Sequence, residues 1–479
     1  MQWTIHLLEK IERQRRYAEP YEKRYRNQFV LPFIEREYRE VYGSQVDLLR
    51  PILDAPRTGT AAIGIDALVE RLTLNGVIAR DEADAEAAAV IWRAWEDNDL
   101  DVMHREAHRE ALIKARSFGS VHRSADNRAV VGIESAEQMA VHRTPGPPYD
   151  VDAALKVDID EWTGKQVAQL RLPGRDLRMV DTGVPSLDPE GSGVSSTWAV
   201  AQDGETATRL PAVPVAEFAS RDRLLTAPSS EIEPIATSVD ICDLVEGLMV
   251  FAGHFGAVPI RYGTGLTVPR DPADPTKALL GPDGKPMLAF KPRADQFWGD
   301  TNPEARFGQL TPAELAGFIA WAEHASSRVR AQTSVASTYY SIDLKSHMSA
   351  ELLKTDEAPM VRRILSMGRD GTLNGSWRRI HRFMLWIERP ASRARLRPRW
   401  ADPNTRVEAA AVDSFQKAVA SGLGVRVAAE QFLGWDPELV DRAVAEAEEA
   451  RAAIAELGDP ALERVTRQLT NMTAVDAGA

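Results

Sequence analysis

The chain has one cysteine, Cys242, in 479 residues, so no intrachain disulfide can form. That agrees with a reducing compartment. Long apolar runs are also missing. The most apolar stretch, "ICDLVEGLMVFAGHFGAVPI", is interrupted by Asp243, Glu246 and His254, and reads as a packed helix with no membrane partner. The first residues, "MQWTIHLLEKIERQRR", show no apolar signal core after their charges. A basic excess is absent too: 58 Lys and Arg face 70 Asp and Glu, a net charge of -12. Phosphate neutralisation drives nucleic-acid affinity, so this balance argues against tight DNA binding over a broad surface.

The common catalytic signatures are missing as well. There is no Gly-x-Ser-x-Gly elbow. "RYGTGLTVP" lacks the phosphate-loop pattern and its Lys-Ser/Thr, and "RTGTAAIGIDAL" has no dinucleotide fingerprint. The expectation is no enzyme, no catalytic residue and no cofactor.

What is present begins with "HREAH", residues 104 to 108. Histidines four apart share a helix face and could approach one ion. In the metalloprotease motif the glutamate directly follows the first histidine. Here it is Glu106, two positions from each, pointing to nearly the opposite side of the helix. The mirrored motif needs glutamate where Ala107 stands. Leu100, Met103, Ala107 and Ala111 form an apolar stripe beside the pair, so the histidines are expected to flank a buried face and no metal is expected. Asp97, Asp99 and Asp101 lack a calcium loop's glycine and distal glutamate, and read as the negative start of a helix.

Length suggests roughly two to four folding units. Residues 1–42 carry helical spacing that Pro20 and Pro32 are expected to break into short helices. Residues 60–118 read as further helix, with Gly76 and Gly119 as stops. From about 120 to 218 the period shortens: "AVVGIES", "AALKVDIDEW", "KQVAQLRLP" and "STWAVAQ" predict strands, with "WTGK" and "QDGE" as turns. A helix is expected at 238–256 and another at 312–331, opened by Thr311 and Pro312, around an insert dense in proline and glycine. "TSVASTYYSIDLKSH" reads as a loop. A long helical pattern covers 349–387, loosened at "GRDGTLNG", and an alanine-rich helical part covers 404–457.

One segment is strongly basic, with arginines at 378, 379, 382, 389, 393, 395, 397 and 399. Arg378, Arg379, Arg382, Arg393, Arg395 and Arg397 are the candidate nucleic-acid contacts. The bland alternative is a solvated face, or ion pairs to an acidic surface.

The order of segments resembles the portal proteins of tailed bacteriophages, of the type found in phages of actinobacteria. The likeness starts with "ALVERLTLNGV" and "IWRAWEDNDLDVMHREAHREALIKARSFGSVH" and resumes at "FGQLTPAELAGFIAWAEHASSRVRAQTSV". It continues through "MSAELLKTDEAPMVRRI" to "WADPNTRVEAAAVDSFQKAVASGLGVRVAAEQFLGWDP". Together these span most of residues 60 to 450. Relatives often carry a proline after the second stem helix, where this chain reads "QTSVAST".

The resemblance implies an α+β fold: a mixed α/β wing, a two-helix stem, a small β-containing clip, a long kinked helix and a helical crown. The wing would be residues 1–236, the stem helices 238–256 and 312–332, and the clip 257–311. The tunnel loop would be 333–348, the kinked helix with its return to the wing 349–403, the crown 404–457 and a tail 458–479. It further implies a dodecameric ring at one capsid vertex, with double-stranded DNA passing through it. Partners would be the large terminase, a head-completion adaptor, and the major capsid and scaffolding proteins. The place would be the virion, and host cytoplasm during assembly. Tyr339, Tyr340, Lys345 and His347 would lie near DNA in the tunnel loop. Arg261, Tyr262, Lys285 and Pro286 would meet terminase or adaptor at the clip. The rival readings are another capsid-associated protein, such as a minor head protein or adaptor, and a DNA-acting metalloenzyme.

Overall fold

The first helix shows how far local sequence rules carry. α1 spans Gln2–Tyr25 and buries Thr4, Leu7, Ile11, Gln14 and Ala18, a stripe at three- and four-residue spacing. It runs straight through Pro20, against the expected break. A helical proline forfeits one backbone bond and crowds the preceding turn, at a cost of about 3 kcal/mol. Tertiary bonds beyond it hold the last turn. The Arg24 guanidinium forks onto Asp240 at 2.8 and 2.8 Å, and the Tyr25 hydroxyl donates to Asp66 at 2.9 Å.

This computed structural model describes residues 2–29, 58–146, 150–187, 195–208, 210–257, 261–267, 269–272, 274–281, 287, 302–309, 315–340, 350–404, 408–435 and 437–457. Pro32, Thr311 and Pro312, named as helix punctuation above, lie outside the described residues.

α2 (Thr60–Arg71) ends sooner than expected, and β1 (Leu74–Ala79) follows. Gly76 is therefore inside a strand and stops no helix. β1 pairs antiparallel with β14 (Leu396–Trp400), Leu74 opposite Trp400 and Ala79 opposite Leu396. A partner more than 300 residues away leaves no local signal. α3 (Ala85–Glu96) and α4 (Leu100–Lys114) come next. Ala115 then takes a left-handed backbone, φ 71°, and the chain turns into β2 (Arg116–Arg123). Gly119 is thus mid-strand, not a helix stop. Its hydrogen lets two layers meet: a Cβ there would run into the side chain of Ile380 and reach 3.2 Å from Phe218.

β2 is the centre of a three-stranded sheet, flanked by β3 (Ala129–Ser135) and β9 (Val215–Ala219). The other large sheet is a five-stranded antiparallel meander of β4 (Met139–Arg143), β5 (Val151–Ile159), β6 (Gln166–Leu172), β7 (Arg175–Leu187) and β8 (Ser195–Ala207). "WTGK" lies in the β5–β6 connection, with Gly164 at φ 66°. "QDGE" is no turn: β8 continues through it. Asp203 adopts φ 55°, and the register with β7 shifts between Leu177 and Met179. An irregularity of this kind bends a strand without ending it. α1 lies on the meander through Leu7 and Ile11 against Ala153, Leu155 and Leu170.

α5 (Ala236–Ala257) and α6 (Ala316–Thr333) pack against each other and bracket a small β insert. There β10 (Arg261–Thr264) pairs with β13 (Arg306–Gln309), and β11 (Arg270–Asp271) with β12 (Asp274–Ala278). α7 (Ala350–Met367) and α8 (Thr372–Glu388) are separated by Gly368–Gly371. A Cβ on Gly371 would collide with the carbonyls of Ser366 and Met367, so the bend needs glycine. α9 (Glu408–Ala420), α10 (Val425–Ala428) and α11 (Pro437–Leu457) complete the described chain. The largest core gathers α2, α3, α4 and α8 around Trp95 and Trp377, whose ring centroids are 4.9 Å apart.

Candidate nucleic-acid interface

α8 divides its residues cleanly. Trp377, Ile380, His381 and Met384 face the core. Gly375, Arg378, Arg379 and Arg382 recur at helical spacing on another side. Across from them runs the segment entering β14. It is pinned by backbone bonds: Arg395 N–H donates to the Asp84 carboxylate at 3.1 Å, and Arg80 N–H to the Arg395 carbonyl at 3.0 Å. Between the two walls lies a cleft of about 470 Å³, lined by Arg80, Arg378, Arg379, Arg382, Arg395 and Arg397 with Gly375, Leu385, Ala394 and Leu396.

Among the described residues, six guanidiniums and no carboxylate line this space, in a chain whose net charge is -12. Among the described residues none of the six forms an ion pair. Arg382 instead lies over the Phe383 and Trp386 rings at 5.7 and 5.6 Å. Arg379 is half-buried; burial first, then Arg143 and Arg382, push its pKa down. A guanidinium stays protonated regardless, so the positive potential persists at any ordinary pH.

The fold gathers five of the six nominated arginines: Arg378, Arg379, Arg382, Arg395 and Arg397. Arg393 is exposed and does not line the cleft. Of the wider basic run, Arg389 pairs with Glu86 at 3.1 Å and Arg399 with Glu430 at 3.2 Å. Arg80 lies outside the basic run. It arrives only because β1 pairs with β14, and no local pattern marks it.

The "HREAH" histidines do not flank the core; they are inside it, at 1% and 0% exposure. Met103, placed on the apolar stripe, is 37% exposed instead. His104 Nδ1 is 2.7 Å from the Leu100 carbonyl, and its Nε2 takes the Leu74 N–H at 3.3 Å. His108 Nδ1 lies 3.0 Å from the Leu72 carbonyl, and its Nε2 accepts from the Trp377 indole N–H at 2.9 Å. Every ring nitrogen is thus spent inside the protein. Burial pushes both pKa values down, that of His108 to about 3. Glu106 points away and pairs with Arg109. Among the described residues no group of three or more His, Cys, Asp or Glu could hold a metal ion, and no helix is long and apolar enough to cross a membrane.

The remaining nominated residues are scattered. Tyr339 and Tyr340 pack against the main core, with the Tyr339 hydroxyl 3.4 Å from Glu70 and the Arg71 guanidinium 5.8 Å from its ring. Burial pushes Tyr340 up to about 12. Arg261 is in register with Gln309 on the paired strand, and Tyr262 is 50% exposed. Lys285, Pro286, Lys345 and His347 lie outside the described residues.

No family model matches the chain. It is 24% identical over 414 residues to the portal protein of Mycobacterium phage D29, covering 82% of this chain and 78% of that one. It is 25% identical over 387 residues to the portal protein of Mycobacterium phage L5, covering 77% and 73%. Among solved structures, a chain of the virion of a native gene transfer agent particle aligns at TM-score 0.42 and 11% identity, covering 81% of this chain and 93% of that one. A chain of the neck of an empty particle aligns at 0.45 and 10%, covering 76% and 90%. Over about four-fifths of its length, this chain is similar in sequence to the portal proteins of mycobacteriophages.

Proposed function

We propose that the chain is a phage portal protein, a structural and non-catalytic subunit of a ring at the capsid vertex through which double-stranded DNA enters and leaves. The observation that carries this is the similarity to two portal proteins over about four-fifths of the chain. The fold supports it. α5 and α6 lie side by side as a stem would, around a β insert suited to a clip. α7 and α8 form one bent helical unit, as a kinked helix would. In this reading the wing is 1–236, the clip 257–311, the tunnel loop 333–348 and the crown 404–457.

The α5–α6 pair also leaves apolar side chains in solvent: Val250 at 44%, Leu315 at 40%, Ile319 at 52% and Trp321 at 43%. Apolar residues gathered on one helix pair call for a partner. A head-to-tail contact that closes by rotation gives a ring, here a dodecamer. The clip residues Arg261, Tyr262, Lys285 and Pro286 would then face the terminase and, later, the head-completion adaptor. Lys345 and His347 would border the channel, with Tyr339 and Tyr340 packed against the core at the base of that loop.

Single-particle images of the purified chain test this reading. Rings with a central channel are expected; monomers at high concentration would refute it. Replacing residues 262–290 by a short linker should leave rings intact and abolish DNA packaging. Loss of the ring instead would assign that segment to assembly.

A further inference from the structure

We infer that the arginine-lined cleft between α8 and β14 is a binding site for the phosphate backbone of duplex DNA, separate from any channel formed by α5 and α6. Three features point there. The charge is concentrated: among the described residues six guanidiniums and no carboxylate line the cleft, and none of the six is ion-paired, although Asp150 and Glu217 act on Arg379 from outside it. A fold places that many like charges together at a cost in repulsion, which a polyanion relieves.

Among the described lining residues all six cations are arginine and none is lysine. The planar guanidinium offers paired N–H donors that match two oxygens of one phosphate, where an ammonium acts as a point charge. One wall of the cleft is the helix α8. Its helical wall runs from Gly375 to Leu385, about 15 Å at 1.5 Å per residue. At about 3.4 Å of duplex axis per phosphate on each strand, that wall faces about four phosphates of one strand.

The cleft offers little to an acidic protein instead. Its apolar lining is Leu385 at 3% exposure, Leu396 at 8%, and Ala394. Specific protein contacts bury an apolar centre, which this floor cannot supply. Backbone phosphate contacts need none.

The cleft lies within one chain, so the inference stands whether or not rings form. The test uses the full chain and a fluorescent 20-base-pair duplex, with affinity followed from about 50 to 200 mM salt. With about four phosphates engaged, log K should fall against log salt with a slope of about -3.6. The triple variant Arg378→Gln, Arg382→Gln, Arg397→Gln keeps half of the guanidiniums and should bind at least about tenfold more weakly, with a slope of about -1.8. Melting temperature and oligomeric state of the variant confirm that it is folded; all three side chains are exposed, so neither should move. The corresponding triple Lys variant should keep most of the salt slope while losing affinity, because charge remains and the fork is gone.

Four outcomes overturn the proposal: no duplex binding by the wild-type chain at 50 mM salt, unchanged binding by the Gln variant, binding of inorganic phosphate without binding of duplex, or displacement of the duplex by poly-glutamate at equal charge concentration. Absence of rings alongside normal cleft binding would refute the portal reading and leave this one in place.

Discussion

At the residue scale, the buried histidines are the most informative. Trp377 is fully buried and gives its indole N–H to His108. Trp377→Phe keeps an aromatic ring but opens a small cavity and leaves a buried acceptor without its donor. The expected loss is about 1–3 kcal/mol in a urea titration. Burial pushes His108, His122 and His381 down to about 3, and lowers His104. Among the described residues neither ring nitrogen of His381 has a hydrogen-bond partner. Each of these groups has a folded pKa below its unfolded value of about 6.5. Below that pH the unfolded chain binds protons that the native core excludes. Stability is therefore full above about pH 6.5 and falls with acid toward about pH 3, at up to about 1.4 kcal/mol per pH unit for each of His108, His122 and His381, with His104 adding in the same direction. Melting temperatures at pH 7 and pH 4.5 check this, and His381→Phe should flatten the slope. An unchanged melting temperature between the two pH values would show that these rings are not buried neutral.

At the element scale, the joints between distant segments matter most. Gly119→Val would force a side chain into the contact of β2 with Ile380 and Phe218. Overpacking of this kind costs about 1–3 kcal/mol, read as a lower urea midpoint at unchanged slope. The Arg71–Glu357 pair joins α2 to α7 at 2.8 Å, with side chains 13% and 7% exposed. Glu357→Ala strands a largely buried guanidinium and should cost about 3–5 kcal/mol. Truncating both partners should cost less than truncating either alone. If the double variant is worse than each single, the ion pair is not what joins the two helices. Much at this scale was legible in the sequence: α3, α4, α5 and α8 follow from apolar spacing, and β3, β5 and β6 from alternation. β1 and β2 were not, because each follows a helix directly and is held by strands far along the chain.

At the scale of the whole molecule, the exposed apolar residues of α5 and α6 are the place where a ring contact is tested. Ile319→Glu with Trp321→Glu adds charge where both side chains already meet solvent, at 52% and 43% exposure. The folded monomer should be unaffected, while rings should give way to monomers in light scattering and in images. Rings that survive both charges would place the subunit contact elsewhere. The acidic total and the basic cleft belong to this scale too. A net charge of -12 argues against DNA binding over a broad surface, while six local arginines allow one confined contact.

The sequence by itself determined the α+β class, the order of most helices, the absence of disulfides, the misplacement of Glu106 for metalloprotease chemistry, and the resemblance to phage portal proteins. Those properties live in residue type and short-range spacing. The tertiary structure alone decided that α1 passes through Pro20, that β1 seeks β14, and that His104 and His108 are core groups with every nitrogen engaged. It also decided which arginines share a cleft. Arg80 joins Arg378 and Arg397 only through a pairing more than 300 residues long. Contacts of that range come from the burial of whole surfaces against one another, which no local pattern encodes.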